Sequence, residues 1–222
     1  MKNIFKLQSV VLISMCLMVG CAGQKMEIKN YSGFIGDYSK LQAGPEGGID
    51  QRYIKEGVDF KKYNKIMLDQ VRFYFKSDAA DKGIDADEMK ELSDTFSRVM
   101  IDALGSAYPL VAKPGPNVMR LRVAITDIEL PNRAINAVST VLPVGLAIST
   151  IKSGVTGKGT GCGEVSMEFE ALDSKTNQVI AEGVDRRSGG KLDSMSKFGT
   201  AEEAFKFWAG RFRTWLDGVH GM

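Results

Sequence analysis

The chain predicts an α+β fold: a mainly antiparallel sheet of about four strands with two helices packed on one face, plus an irregular N-terminal wrap and an apolar insertion. Three observations carry this prediction. Two stretches repeat apolar residues at helical spacing behind capping-box signatures, and several others alternate with period two. One long run, 134–151, carries no charge at all. A length of 222 residues with 44% hydrophobic and 25% charged residues supports one core, and one domain is the default. Residues 1–20 read as a lipoprotein signal peptide and 21–63 as a lipid-anchored linker and wrap. Residues 64–222 read as a single α+β domain containing the insertion.

Taken in order, 65–75 reads as a strand. Ile66, Leu68 and Gln70 share a face, while Met67, Val71, Phe73 and Phe75 make the alternation imperfect. The spacing then predicts a helix opened by Asp85 and Glu88 as a capping box, with Met89, Leu92, Phe96, Val99, Met100, Ala103, Leu104 and Ala107 on its buried face. Pro109 and Pro114 prevent its continuation. A second strand covers 118–130, where Leu121, Val123 and Ile125 alternate with Arg120, Arg122 and Thr126. The third, 163–173, is the clearest. Val165, Met167, Phe169 and Ala171 face the core, and Glu164, Ser166, Glu168 and Glu170 form a solvated face. Turn residues at 173–177 return the chain as a fourth strand over 178–185. A last helix is predicted to start at Thr200, with Glu203 completing a second capping box. Ala204, Phe205, Trp208, Phe212, Trp215 and Leu216 would dock on the sheet.

Residues 22–63 are too rich in aromatics for a pure tether. Tyr31, Phe34, Tyr38, Tyr53, Phe60 and Tyr63 punctuate a glycine-rich stretch and are expected to anchor a wrap over the domain. Ahead of it, Lys2 and Lys6 precede an apolar run over 7–19, the order of a secretory signal and too short for a comfortable span. Leu17-Met18-Val19-Gly20-Cys21 then resembles the bacterial lipobox, with Met18 where leucine is commonest. The Cys21 thiol is nucleophilic enough to take a diacylglyceryl group. With acyl chains of the palmitate kind, each buried methylene contributes roughly 0.8 kcal/mol, so several chains anchor firmly. Ala22, rather than Asp, follows the cysteine, and the resemblance favours an outer-membrane anchor on the periplasmic side.

Charge and cysteine usage exclude several classes. Lysine and arginine total 29 and aspartate and glutamate 27, and removing Lys2 and Lys6 with the signal leaves 27 basic groups against 27 acidic. That balance argues against nucleic-acid binding. His220 is the one histidine, which removes His-dependent triads and His-cluster metal sites, so no metal and no cofactor is expected. Loss of Cys16 with the signal and capping of Cys21 leave Cys162, which reads as a small residue in a flexible run. The glycines between 154 and 163 invite a phosphate-loop reading that fails, because Gly159 follows Lys158 where Ser or Thr is required.

The uncharged segment 134–151 admits three readings. It could form two short apolar helices folded on the domain, an exposed loop meeting a membrane or a partner, or a true span interrupted by Pro143 and Gly145. In the second reading Ile135, Val138, Val141, Leu142, Val144, Leu146, Ile148 and Ile151 make the contact. Asp69, Asp127 and Asp185 break or end strands, and Asp185-Arg186-Arg187 suggests an ion-pair or anion cluster.

Several segments together carry a family resemblance. The stretch Tyr31-Ser32-Gly33-Phe34-Ile35-Gly36-Asp37-Tyr38-Ser39, then Gly57-Val58-Asp59-Phe60-Lys61-Lys62-Tyr63 and Leu130-Pro131-Asn132-Arg133, resemble a bacterial envelope lipoprotein family of unknown function, the DUF3313 type. Leu142-Pro143-Val144-Gly145 and Asp185-Arg186-Arg187-Ser188-Gly189 extend the match. The resemblance implies an envelope lipoprotein and brings no catalytic residues. The expected function is a non-enzymatic accessory or scaffold of an envelope assembly, with an envelope protein or a second copy as partner. The alternative is a small-ligand or lipid-binding module, and a carboxylate-based activity is the remaining enzymatic option.

Overall fold

The computed structural model describes residues 31–75, 84–128, 164–188 and 198–222. The N-terminal part supplies β1 (Gln42–Ala43), β2 (Gln51–Ile54), β3 (Lys65–Leu68) and β4 (Arg72–Phe73). Helix α1 (Ala86–Leu104) follows, then β5 (Val118–Ile128), β6 (Glu164–Asp173), β7 (Val179–Ser188) and helix α2 (Gly199–His220).

Helix α1 begins where its sequence signature says. The Glu88 backbone N–H donates to Asp85 Oδ1 at 2.9 Å, and the Asp85 N–H donates to Glu88 Oε2 at 3.1 Å. Two N–H groups that the first turn cannot satisfy are thereby paired. Met89, Leu92, Phe96, Met100 and Leu104 are buried, and the helix ends at Gly105, whose φ of 54° favours glycine. Helix α2 corrects the second expectation. It begins at Gly199 behind Phe198, which makes no side-chain cap bond, so Thr200 lies inside the first turn and is buried. Glu203 instead pairs with Lys206 at 3.2 Å.

The sheet is larger than predicted and mixed rather than mainly antiparallel. Seven strands run in the order β1-β2-β7-β6-β5-β3, with β4 also paired to β5. The single strand expected over 65–75 is two short strands, both parallel to β5. The physical reason is the connection: α1 lies between them and β5, and a strand-helix-strand crossover returns the chain parallel. At the other edge β1 and β2 form an antiparallel hairpin whose β2 pairs antiparallel with β7, with Gln51 opposite Val184 and Tyr53 opposite Glu182. Their brevity and the glycines between them hid these strands in the sequence.

β6 and β7 form the predicted hairpin. Asp173 Oδ1 accepts from the backbone N–H groups of Lys175 and Thr176 at 3.1 Å each, and Asn177 takes φ 55°. Alternation then divides the sheet. Leu121, Val123, Val165, Met167 and Ala171 meet the helices in the main core, together with Phe96, Phe205 and Trp208. The opposite face corrects the solvated reading of the glutamate strand. Ser166, Glu168 and Glu170 are buried there, under Phe34 and Ile35 of the N-terminal segment, which cluster with Ala124 and Val184.

Removing the α1 cap tests this local account. Asp85→Ala should lower the stability of the full chain by about 1 kcal/mol, read as a reduced urea midpoint, whereas Asp85→Ser should retain most of it.

Candidate functional site

The sequence places two alanines opposite each other where the sheet faces the helices: Ala171 of β6 pairs with Ala181 of β7. Two pairs along, and on the same face, Phe169 stands opposite Gly183. A Cβ on Gly183 would lie 2.3 Å from the Phe169 ring and 2.7 Å from the Ile49 side chain, so only glycine lets these groups lie flat on the sheet. These small residues lower the floor of the sheet beneath α2. A cavity of about 270 Å³ remains between the two layers and opens to solvent. Its walls are apolar: Phe96 and Met100 from α1, Trp208, Phe212 and Trp215 from α2, and Met119, Leu121 and Met167 from the sheet. Pro45, Gly48, Arg52, Ile54, Arg211 and Thr214, all at least partly exposed, also line it. Phe212 and Trp215, expected to dock on the sheet, are only partly buried and line this space instead.

A buried carboxylate holds the walls together. Asp185 of β7 has no exposed surface. Its Oδ2 accepts from Trp208 Nε1 at 2.6 Å and from Arg187 Nε at 2.9 Å, and its Oδ1 accepts from the Asp50 backbone N–H at 2.9 Å. One carboxylate thus ties together β7, helix α2 and the loop that enters β2. Arg187 also donates to the Gly48 carbonyl at 3.0 Å and lies 3.6 Å above the Phe207 ring. Arg186, between Asp185 and Arg187 in the pleated strand, turns to the opposite side and pairs with Glu164 at 3.1 Å. The structure therefore brings Asp185 and Arg187 together and separates Arg186 from them.

The opposite face carries a second polar centre. Glu168 accepts from the Ser32 N–H at 2.8 Å, the Ser32 hydroxyl at 2.9 Å and the Tyr38 hydroxyl at 2.6 Å. Burial, reinforced by Glu168, pushes the Tyr38 hydroxyl well above its ordinary range and keeps it a donor. Tyr38 in turn accepts from the N–H groups of Gly33 and Ile35 and stacks on Tyr31 at 4.0 Å. Beside it Glu170 pairs with Arg122, yet burial raises its carboxyl above the usual value. Glu182, opposite Glu170 in the sheet, is raised by burial and then by Glu170 itself. Its Oε2 has no hydrogen-bond partner among the described residues. Of the other candidates, Asp69 holds Arg120 through paired contacts at 2.9 and 2.7 Å, and Asp127 follows a register shift in β5.

Among the described residues no group of three or more His, Cys, Asp or Glu side chains could hold a metal ion, and no helix is long and apolar enough to cross a membrane. Cys21, Cys162 and the apolar positions Ile135, Val138, Val141, Leu142, Val144, Leu146, Ile148 and Ile151 lie outside the described residues. Sequence reasoning missed the cavity. The available signal was the coincidence of Ala171, Ala181 and Gly183 across a hairpin whose other core positions are large.

Comparison with known proteins adds the family. The family described as "Protein of unknown function (DUF3313)" matches residues 30–212, and the chain belongs to it. A similar protein is the uncharacterized lipoprotein YdcL of Escherichia coli K12, 24% identical over 187 residues that make up 83% of each chain. The family is thus one of bacterial lipoproteins of unknown function, which implies membrane anchoring. Among solved structures, the PelC dodecamer from Paraburkholderia phytofirmans matches at 10% identity and a TM-score of 0.41, over 73% of this chain and 94% of that one. Protein XCC0632 from Xanthomonas campestris matches at 10% identity and 0.40, over 71% and 85%.

Two measurements check the polar centres. Asp185→Ala leaves the Trp208 N–H and the Arg187 guanidinium without their acceptor, and should cost at least about 2 kcal/mol in a urea melt. Glu182 has the opposite sign. A carboxyl raised on folding binds more protons in the folded state, so its contribution is present below the ordinary glutamate value and is lost as pH rises through the raised one. Glu182→Gln should therefore be more stable than the parent at about pH 7, and the difference should shrink towards about pH 4.

Proposed function

We propose that this protein is a non-enzymatic lipoprotein of the cell envelope whose domain binds one small amphiphilic molecule in the cavity beneath α2. In this reading the chain is anchored through acylated Cys21 to the outer membrane, on its periplasmic side. The observation that carries the proposal is the cavity itself. Protein interiors close to crystal-like density, and a mainly apolar space of about 270 Å³ with an open mouth is not left by ordinary packing. Among the described residues its lining holds a single carboxylate, Glu182, in mostly apolar surroundings, which favours binding over catalysis. The buried carboxylates Glu168 and Glu170 lie on the other face of the sheet, committed to Ser32, Tyr38 and Arg122. The neutral charge balance of the mature chain supports a small ligand over nucleic acid.

The uncharged segment 134–151 supports a second reading, in which the protein is an accessory or scaffold that contacts an envelope protein or another copy of itself. The two readings separate experimentally. Under the first, the full chain released from nanodiscs into native mass spectrometry should retain one added amphiphile. Ala181→Phe, which fills the cavity floor, should abolish that adduct while leaving the protein folded. Recovery of bare wild-type protein would count against ligand binding. Under the second, deletion of 134–151 should eliminate a cross-linked partner in intact cells, and unchanged cross-links would sink the scaffold role.

A further inference from the structure

The cavity lining is mostly apolar; its charged members are Arg52 and Arg211, both at least partly exposed, and the buried Glu182. Arg52 and Arg211 both border it, one from β2 and one from α2. Neither guanidinium forms an ion pair with any carboxylate among the described residues. Arg211 only lies over the Phe207 ring, 5.7 Å from its centroid. This contrasts with the other arginines near the cavity. Arg187 is held by Asp185, and Arg213 is held by Asp217 at 2.8 Å. Two charges left without counter-ions beside an apolar hole are a recognition feature for an anion whose remainder is apolar.

The surroundings of Arg52 extend the argument. A more polar hollow of about 670 Å³ shares Arg52, Tyr53 and Ile54 with the cavity and adds Lys40, Lys55 and Glu56. The two spaces therefore share Arg52 as a wall, one suited to a hydrocarbon and the other to a charged, hydrated group. Lys40 is already paired with Asp37 at 3.3 Å, so Arg52 is the guanidinium placed at the junction. The volume limits the hydrocarbon. An apolar cavity of roughly 150 Å³ accommodates benzene, so 270 Å³ corresponds to roughly ten carbons, one chain of medium length and not two.

We infer that the ligand is a single-chain amphiphile with an anionic head, a carboxylate or a phosphate, whose chain lies against Trp208 and Trp215 and whose head is held by Arg52 and Arg211. This rests on the cavity reading above and specifies its ligand class. A carboxylate or phosphate offers the paired oxygens that a guanidinium fork binds bidentately, whereas an alcohol head does not. Mechanically, the head stays at the solvent edge and only the chain is desolvated, so no charge has to be buried.

The two tryptophans of the chain both line the cavity, so they report its occupancy directly. The test uses the full lipidated chain in phosphatidylcholine nanodiscs, with ω-bromoundecanoate, ω-bromoundecyl phosphate and ω-bromoundecanol as quenchers of tryptophan emission. Ala181→Phe in the same nanodiscs supplies the background from probe dissolved in the bilayer. The expected result is that at least one anionic probe quenches at a concentration at least about tenfold below the alcohol, a difference of about 1.4 kcal/mol. Which anion is preferred distinguishes a fatty acid from a lysophosphatidic-type lipid. In Arg52→Gln/Arg211→Gln that preference should vanish while quenching by the alcohol is unchanged. Equal quenching of the parent by acid, phosphate and alcohol, or a preference that survives the double substitution, overturns the anionic class and leaves the cavity reading intact. No quenching above background by any probe overturns both.

Discussion

A carboxylate closed off from water must be surrounded by donors, and in this protein that requirement organises the site. Asp185 sits at the junction of β7, α2 and the loop before β2, and draws one donor from each. Taking its charge out of water is costly, and three hydrogen bonds of 2.6–2.9 Å offset that cost only while all three pieces of chain stay in place. Trp208 is both a donor to Asp185 and a wall of the cavity. The loop that carries Asp50 also brings Ile49 and Gly48 to the cavity edge. The position of the hole in the core thus follows from how one buried charge is satisfied.

The other face of the same sheet is governed by a similar constraint with a different solution. Glu168 is buried between strands, and its donors come from the N-terminal segment rather than from the helices. Ser32 and Tyr38 supply them, and Phe34 and Ile35 bring the apolar cover that keeps water away. Glu170 and Glu182, paired across the sheet, are buried with less compensation, and their raised carboxyl groups record that shortfall. The wrap is therefore not a passive lead to an anchor. It closes the second face of the sheet, and the sheet is sandwiched between a helical layer and an aromatic strap.

The cavity arises where three small residues meet a helix carrying large ones. Ala171, Ala181 and Gly183 lower the sheet, Phe212 and Trp215 stand off it, and Phe60 props Trp215 edge-on at 5.1 Å. Rigid aromatic walls preserve the space instead of collapsing into it. The proposed amphiphile site thus uses the same helix that Asp185 holds, so recognition and stability share one anchoring interaction.

Much of the secondary structure was legible from local pattern. The Asp85–Glu88 box, the apolar stripe of α1, and the alternation of β5 and β6 depend on residues two to four positions apart. The family resemblance was legible too, because its motifs are contiguous. The failures share a cause. Thr200 and Glu203 have the spacing of a cap, but packing started α2 a residue earlier and buried Thr200. Asp185, Arg186 and Arg187 are adjacent in sequence, yet the pleat sends Arg186 to the face opposite its neighbours. The glutamates of β6 have the period of a wetted surface, and only Ser32 and Tyr38, more than a hundred residues away, decide that Glu168 is dry. The sequence by itself determined where α1 begins and which residues alternate along β5 and β6, since hydrogen bonding and side-chain direction along one element are local. Tertiary structure alone decided which face is covered, which arginines have no acidic partner among the described residues and where the core stays open, since those depend on what distant segments bring to the same place.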